Sequence, residues 1–318
     1  MTAGPSCVVV ADIGGTTTRI AVVQSGTMLA RVSLPTVRGQ GLAEFVVRAI
    51  DKLLTSHRVD MGSVTGVGVS IPGPLDQSRR HVAFTGNVGL RDYPLAERLE
   101  QSLGVPVVMD DDANCAALAE ATRGAAAQSS VAVLIVVGTG IGGGIVLDGV
   151  PYRGAHSAAG EVGHIVVDRD GPVCSCGHAG CFEALASGPA LAKRGKTAML
   201  AGSAAILSDI VGGDPEAVDP AHTLQAAERG DPGALAAVEE TGYYLGLGVA
   251  AVANMLDPDV IVLGGGLGRT PAMLVFARRG VKEHCIAPTD QLVRVEIAQL
   301  GDDAGLWGAA LLALGTDG

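Results

Sequence analysis

The sequence predicts an α/β protein of two domains. Apolar segments that predict strands alternate with segments of helical period along the 318 residues, and this alternation is typical of sheets covered by helices. A chain of this length is longer than one ordinary hydrophobic core accommodates, which favours two domains. The alternative is a single large α/β unit. A strand, a glycine-rich turn and a second strand occur at Asp12 and again at Gly138, which suggests two related halves.

Each predicted element follows from a local pattern. Apolar runs on both sides of the turn at Asp12 predict a hairpin, and apolar residues at helical spacing predict the helices. In chain order, we predict strands at Val8–Val10 and Ile20–Val23, a helix at Gly41–Leu54, a strand at Val64–Ile71, a helix at Pro94–Leu103, a strand at Val105–Met109, a helix at Asp112–Thr122, strands at Val131–Val137 and Ile145–Leu147, a helical region at Pro189–Val211, a long helix at about Pro232–Met255, a strand at Val260–Leu263 and an apolar helix at Ala304–Leu314.

Composition and charge narrow the class of protein. Apolar residues make up 48% of the chain but aromatic residues only 3%, and 46 residues are Gly, so we expect a core of small aliphatic side chains. No apolar run approaches the roughly 18 residues of a membrane span, and the first residues lack a signal-peptide pattern. A net charge of -11 argues against partners such as nucleic acid or anionic membranes. We therefore expect a cytoplasmic protein with reduced cysteines.

One histidine and three cysteines form the most informative segment of the chain. Their spacing, H-x9-C-x-C-x4-C, can close a four-coordinate zinc site, and the predicted ligands are His164, Cys174, Cys176 and Cys181. The alternative is a set of ordinary core thiols. A closed site leaves no position for a substrate, so the predicted role of a structural Zn2+ is to stiffen the loop and to fix the nearby carboxylates of Glu161 and Glu183.

Three glycine-rich turns are candidate phosphate-binding loops, at Asp12–Thr17, Gly138–Gly144 and Gly264–Gly268. Backbone N–H groups without a neighbouring Cβ let a phosphate approach closely. No turn has the spacing of a P-loop or of a dinucleotide-binding fingerprint, and ordinary hairpin turns are the alternative. Asp12 stands at a strand end, where its carboxylate would either hold hydrated Mg2+ against phosphates or cap the turn.

Three consecutive acids, Asp110–Asp112, follow a predicted buried strand and precede a helix. Ligands of open α/β sheets bind at such carboxyl ends of strands. One carboxylate is explained by capping of the helix, whereas three adjacent like charges imply a bound cation, a proton or a polar ligand. The pattern alone fits an acidic metal site and a general base equally well.

The motifs of the chain, and the order in which they follow one another, resemble those of the ROK family of sugar kinases and repressors. The segments that carry the resemblance, between Val10 and about Leu314, are DIGGTTTRIAVV, SIPGPLD, DDDANCAALAE, GTGIGGGIVLDG, GEVGH, CSCGHAGCFE and LDPDVIVLGGGL. The resemblance implies the actin-like, ribonuclease-H-like ATPase fold, with two α/β domains around a cleft. We accordingly expect a small N-terminal domain of residues 1–114, joined by a C-terminal helix at 303–318, and a large domain of residues 115–302 that holds the zinc loop and the nucleotide site.

The resemblance also implies the chemistry, with ATP and Mg2+ as donor and the 6-hydroxyl of a hexose as acceptor. Asp112 is then the catalytic base, and His164 binds zinc through one ring nitrogen and the sugar through the other. The residues that match sugar contacts are Asn87, Asp111, Asp112, Glu161, His164 and Glu183. The residues that match nucleotide contacts are Asp12, Gly14, Gly15, Thr16, Thr17, Gly138, Thr139, Gly140, Gly264, Gly265 and Gly266. Because relatives are often dimers, we expect a homodimer.

The chain departs from the family pattern at Asp111, where the family's glucokinases usually have Asn. An Asp there exchanges two N–H donors for a second negative charge beside Asp112, which suits an ammonium group better than a neutral diol. We therefore expect an aminohexose with its amine at C3, such as kanosamine (3-amino-3-deoxy-D-glucose). The alternative is a glucokinase that phosphorylates glucose or mannose.

Two other classes of function compete with a kinase. Repressors of the family carry a DNA-binding region before the first phosphate loop, and that loop begins here at Asp12, which argues against a repressor. A sugar-responsive regulator without a DNA-binding domain is disfavoured because Asp12 and Asp112 are both retained. The sequence does not distinguish between ATP and polyphosphate as the donor of the phosphoryl group.

Overall fold

The computed structural model describes residues 7–315 and divides into two compact units. Unit 1 contains the described parts of Met1–Gln128, Gly144–Ala159 and Leu300–Gly318, and unit 2 contains Ser129–Gly143 and Gly160–Gln299. The expected domain boundary after residue 114 falls within a helix that belongs to unit 1. Residues 1–6 and 316–318 of the expected N-terminal domain lie outside the described residues.

Each predicted strand and helix is matched by an overlapping element. The strands are β1 Cys7–Ile13, β2 Thr17–Gln24, β3 Thr27–Pro35, β4 Val64–Ile71, β5 Val82–Thr85, β6 Leu90–Tyr93, β7 Val107–Asp111, β8 Val131–Val137, β9 Ile141–Leu147, β10 Val150–Pro151, β11 Val260–Gly264 and β12 Arg294–Ile297. The helices are α1 Leu42–His57, α2 Leu95–Leu103, α3 Asp112–Arg123, α4 Phe182–Ala186, α5 Gly188–Leu200, α6 Ala205–Ile210, α7 Pro220–Glu228, α8 Pro232–Leu256, α9 Gly265–Gly268, α10 Pro271–His284, α11 Thr289–Leu292 and α12 Ala304–Ala313. Within residues 7–315, no helix has both the length and the apolar composition that crossing a membrane requires.

Unit 1 contains a five-stranded sheet in the order β3-β2-β1-β4-β7. Strands β1 to β3 pair antiparallel, whereas β4 lies parallel to β1 and β7 lies parallel to β4. The central strand β1 is an almost continuous apolar run, so its side chains are apolar on both faces of the sheet. Such a strand needs helices on both faces to exclude water. Its residues Val9, Ala11 and Ile13 join the core formed with α1 and α2. Val8 and Val10 pack on the other face against α12.

The second five-stranded sheet has the order β10-β9-β8-β11-β12. Numbered within each sheet, both sheets follow the same order 3-2-1-4-5, which agrees with the two related halves suggested by the sequence. Strand β11 lies parallel to β8 and β12, and β10 lies antiparallel to β9. In unit 2 the long helix α8 packs against α4, α5, α7 and α10.

The C-terminal helix α12 belongs to unit 1. Its small residues allow close packing: a Cβ on Gly308 would overlap the carbonyl group of Cys115 in α3. A Cβ on Gly68 of β4 would likewise overlap the carbonyl group of Ala309. The apolar, small-sided composition of this helix therefore fixes how closely it approaches the sheet.

Candidate active site

The three consecutive acids lie at the junction of β7 and α3, and Asp110 is the buried member. It is 3% exposed, and its Oδ2 accepts a hydrogen bond from Arg153 Nε at 2.6 Å and lies 3.7 Å from Arg79 Nη1. Its Oδ1 accepts a hydrogen bond from the side-chain amide of Asn114 at 3.1 Å. Of the three partners considered for these acids, a cation, a proton or a polar ligand, Asp110 has the first in the form of arginine side chains of the same unit.

Asp111 caps α3 and is held at both carboxylate oxygens. Its Oδ1 accepts the N–H of Ala113 at 2.9 Å, and its Oδ2 accepts the N–H of Gly73 at 3.2 Å. Burial, followed by the charge of Asp112, raises the pKa of the Asp111 carboxyl to about 8, against the lowering effect of the two backbone N–H groups. A cationic partner would stabilise the ionised form of this carboxylate.

Asp112 is the exposed member of the three acids and begins α3. An exposed carboxylate in this position can reach the hydroxyl group of a ligand and accept its proton. Asn87 is also exposed, on the turn between β5 and β6. A Cβ on Gly15 would lie 3.0 Å from the Cβ of Asn87, so this turn adjoins the first glycine-rich turn within unit 1.

The first glycine-rich turn connects β1 to β2. The N–H of Gly14 donates to the carbonyl oxygen of Thr17 at 2.9 Å. The guanidinium of Arg38 donates to the carbonyl oxygen of Gly15 at 3.0 and 3.2 Å. These bonds hold the turn in one conformation, with the side chain of Thr16 exposed.

Asp12 lies directly before this turn and is tied to neighbouring elements. Its Oδ1 accepts a hydrogen bond from Ser70 Oγ at 2.8 Å, and its Oδ2 lies 3.4 Å from Arg19 Nη1. Burial raises the pKa of the Asp12 carboxyl, against the lowering effects of Ser70 and Arg19. A Cβ on Gly305 of α12 would overlap this carboxylate. The carboxylate is therefore held in place by β4, β2 and α12.

In unit 2 the four predicted ligands His164, Cys174, Cys176 and Cys181 come together. Their ligand atoms lie within 4.8 Å of one another. Cys174 Sγ is 3.8 Å from His164 Nδ1, and Cys176 Sγ is 3.6 Å from Cys181 Sγ. Tetrahedral zinc, with bonds of about 2.0–2.3 Å, needs ligand atoms about 3.5–3.8 Å apart. Two of the separations match this value, and one imidazole with three thiolates is a donor set that zinc binds in structural sites.

The imidazole of His164 presents its two nitrogens to different groups. Nδ1 faces the cysteines, whereas Nε2 lies 3.9 Å from Oε2 of Glu161. Both side chains are exposed. This arrangement suits a histidine that binds a metal through one nitrogen and a ligand through the other.

The second glycine-rich turn, predicted at Gly138–Gly144, spans only Gly138–Gly140, because β9 begins at Ile141. It connects β8 to β9 and contacts Glu183 of α4. Oε2 of Glu183 accepts the N–H of Ile141 at 3.0 Å, and a Cβ on Gly140 would lie 2.5 Å from the same oxygen. Oε1 of Glu183 accepts a hydrogen bond from Ser175 Oγ at 3.2 Å. Thr139, at the tip of the turn, is exposed.

The third glycine-rich turn follows β11 and forms the short helix α9. Gly265 is required by the fold, because its φ is +78° and a Cβ there would overlap the carbonyl group of Val137. A Cβ on Gly266 or on Gly138 would meet no atom within 4 Å in the described part of the chain. Packing therefore does not explain glycine at these two positions, whereas close approach of a ligand would.

Five residues that the sequence did not single out hold the predicted acids, and one of them, Arg19, lies within the segment DIGGTTTRIAVV. Ser70 and Gly73 lie within the segment SIPGPLD, so that motif marked the place although it gave no role for either residue. Arg79 and Arg153 lie in loops outside every motif. A loop arginine carries no local signal of its acidic partner, so only the structure identifies these two.

The chain is similar over most of its length to proteins of known sequence and structure. The sequence profile of the ROK family matches residues 8–316. A glucokinase of Halalkalibacterium halodurans is 35% identical over 315 residues, which cover 95% of this chain and 93% of that protein. A xylose repressor of Bacillus subtilis is 29% identical over 236 residues, which cover 74% of this chain and 57% of that protein.

A solved structure is similar to the chain over nearly its whole length. The crystal structure of a ROK family glucokinase from Streptomyces griseus, in complex with glucose and AMPPNP, matches with a TM-score of 0.81 at 35% identity. The match covers 98% of this chain and 100% of that chain. The expected fold class is therefore confirmed.

Proposed function

The chain belongs to the ROK family, and from this we propose that it is a hexose kinase that transfers the γ-phosphoryl group of ATP to the 6-hydroxyl of a glucose-type sugar. The observation that carries the proposal is the separation of roles among three adjacent acids. Asp110 is neutralised by arginine, Asp111 caps a helix, and Asp112 is exposed. Relatives named glucokinase support the same activity.

In this proposal Asp112 accepts the proton of the attacking hydroxyl group. Phosphoryl transfer depends on positioning and on neutralisation of charge more than on covalent chemistry. From the resemblance, the sugar contacts are assigned to six residues: Asn87, Asp111, Asp112, Glu161, His164 and Glu183. The activity is tested by measuring release of ADP with and without a hexose, and we expect release to depend on the sugar. ATP turnover at the same rate with and without every hexose would instead favour a regulatory protein.

The nucleotide is assigned to the three glycine-rich turns, with Asp12 as the residue that would hold Mg2+ through water. When bound, Mg2+ supplies positive charge to the phosphates. The carboxylate of Asp12 is kept in place by Ser70 and Arg19, and Thr16 offers an exposed hydroxyl beside it in the chain. Gly138 and Gly266, which packing does not require to be glycine, would let phosphate and adenosine approach the backbone.

A zinc ion held by His164, Cys174, Cys176 and Cys181 would have a structural role, because four protein ligands leave no open position. The separations of these ligand atoms in the structure support this assignment. The ion would fix the cysteine loop between the segments that carry Glu161 and Glu183.

For the acceptor we propose an aminohexose with its amine at C3, such as kanosamine. The pKa of Asp111 is raised by burial and by the neighbouring Asp112, so the ammonium group of an aminohexose would stabilise the ionised form of this carboxylate. A hydrogen bond between charged partners contributes about 1.5–3 kcal/mol, which corresponds to about tenfold to a hundredfold discrimination.

Glucose is the second candidate, and one contact favours it. Oδ2 of Asp111 accepts the N–H of Gly73, so Asp at this position also has a structural reason that is independent of the sugar. To decide, kcat/KM is measured for kanosamine, glucose, glucosamine and N-acetylglucosamine with the wild type and Asp111→Asn. We expect the variant to lose the preference for kanosamine. A wild type that prefers glucose, with a ratio unchanged in the variant, would contradict the aminohexose proposal.

The homodimer and the cytoplasmic location stay predictions. Light scattering coupled to gel filtration measures the number of subunits, and fractionation of cells measures the location. A monomer in solution would contradict the predicted homodimer and would leave the proposed chemistry unaffected.

A further inference from the structure

The short helix α4 connects the cysteine cluster to the second glycine-rich turn. It begins directly after Cys181, its N-cap residue, and α5 follows from Gly188. The N–H of Gly188 donates to the carbonyl oxygen of Gly138 at 2.8 Å. In the first turn of α4, Glu183 accepts the N–H of Ile141 at 3.0 Å. Both ends of the glycine-rich turn are therefore bonded to the segment that follows the last predicted metal ligand.

The carboxylate of Glu183 also faces the cysteine loop. Its Oε1 accepts a hydrogen bond from Ser175 Oγ at 3.2 Å and lies 3.7 Å from Cys174 Sγ. Ser175 stands between two predicted metal ligands, Cys174 and Cys176. The carboxylate of Glu183 thus contacts the cysteine loop through Oε1 and the N–H of Ile141, at the end of the glycine-rich turn, through Oε2.

The backbone of Ile141 is clamped on its other side by the segment that carries His164. A Cβ on Gly163 would overlap the carbonyl group of Ile141. The N–H of Phe182 donates to the carbonyl oxygen of Ile165 at 2.8 Å, which ties α4 to the same segment. A shift of the metal-binding segments would therefore move the N–H groups of the glycine-rich turn.

We propose that Glu183 is a positioning residue for the nucleotide, because it transmits the order of the metal-bound cysteine loop to the Gly138–Gly140 turn. This inference rests on the proposed phosphate-binding role of that turn. With the metal site filled, Ser175 is held in one place, and Glu183 in turn holds the N–H of Ile141. A turn that is ordered before binding loses less conformational entropy when the ligand arrives. The metal would thus strengthen nucleotide binding without contacting the nucleotide.

The test is calorimetric titration of the full chain with AMPPNP and Mg2+, without sugar, before and after removal of zinc, whose content is measured separately. We expect removal of zinc to weaken the affinity about tenfold, as loss of a hydrogen bond to a charged group does. Glu183→Ala should show a similar loss and no further loss when zinc is removed. Glu183→Gln keeps an acceptor for Ile141 and should restore most of the affinity. Ser175→Ala should weaken the affinity while keeping its zinc.

The matched control is Asp170→Ala. Asp170 lies in the same loop and pairs with Arg169 on the surface, so nucleotide affinity should stay at the wild-type value. Equal weakening on zinc removal in the wild type and in Glu183→Ala would overturn the proposal, because the two effects would then be independent. Wild-type affinity in both Glu183→Ala and Ser175→Ala would overturn it as well. A wild type that does not bind AMPPNP with Mg2+ would instead contradict the proposed function itself.

Discussion

Arg153 donates a hydrogen bond from Nε to Oδ2 of Asp110 across 2.6 Å within unit 1. The side chains of Asp110 and Arg153 are 4% and 17% exposed, so the ion pair is largely withdrawn from water. Without the arginine, the buried carboxylate of Asp110 would stand uncompensated beside Asp111 and Asp112. This pair therefore makes a run of three acids compatible with a folded strand end.

Loss of that ion pair should destabilise the protein strongly. We expect Arg153→Met to lower the free energy of unfolding by about 3–5 kcal/mol, because it leaves a buried carboxylate without its main partner. Urea denaturation measures the change. Arg79→Met is the control, since Arg79 is 35% exposed and 3.7 Å from Asp110, and its loss should cost less than about 1 kcal/mol. Equal losses in the two variants would contradict the assignment.

Replacement of the proposed base should slow catalysis and leave the fold intact. We expect Asp112→Asn to reduce kcat about 10²–10⁴-fold, because the amide cannot accept the proton of the hydroxyl group. The melting temperature should change little, since Asp112 is exposed. Asp92→Asn, an exposed acid of the same unit, serves as control and should keep the wild-type rate. A normal kcat in Asp112→Asn would refute the role of the base.

The raised pKa of Asp111 should make stability depend on pH. The folded-state pKa is about 8, against about 3.9 for an exposed Asp. Between these values the folded protein holds a proton that the unfolded chain has lost, so the contribution of Asp111 to stability falls as pH rises from about 4 to about 8. Asp111→Asn cannot titrate and should have a flatter profile. Unfolding by urea at several pH values measures both profiles, and parallel curves would argue against the shift.

Glycine at position 266 should matter for nucleotide binding and not for folding. A Cβ there meets no described atom within 4 Å, and Ala is favoured over Gly in a helix by about 1 kcal/mol. We expect Gly266→Ala to melt at or above the wild-type temperature and to bind AMPPNP more weakly. Gly265→Ala is the contrast, because its φ of +78° is strained for Ala and the variant should be destabilised. Unchanged AMPPNP affinity in Gly266→Ala would remove this turn from the nucleotide site.

The cysteine cluster should hold zinc in the purified protein. We expect Cys176→Ser to lose the metal, because a serine hydroxyl is a poor replacement for a thiolate ligand. A chromogenic chelator measures zinc after unfolding. Cys285→Ser is the control, since Cys285 lies outside the cluster and its thiol faces the carbonyl oxygen of Ala250. Retention of zinc by Cys176→Ser, or its absence from the wild type, would exclude the proposed site.

Elements with a strong local pattern were predictable from the sequence. Strand β4 was predicted with both of its ends, Val64 and Ile71, because β-branched residues recur through it and a proline follows. The sequence did not reveal β3 and β12, where charged or polar residues interrupt the apolar pattern. These two strands lie at edges of their sheets, and an edge strand needs less apolar sequence than a central one.

The sequence by itself determined the cluster of His164 with three cysteines, the three acids and the glycine-rich turns, because each is encoded by residues close together in the chain. Only the tertiary structure decided how the acids differ. Arg153 reaches Asp110 from 43 positions away, and Gly73 reaches Asp111 from 38 positions away. Charge and burial at a carboxylate depend on whatever packs around it, and those neighbours are brought there by the fold and not by the order of the chain.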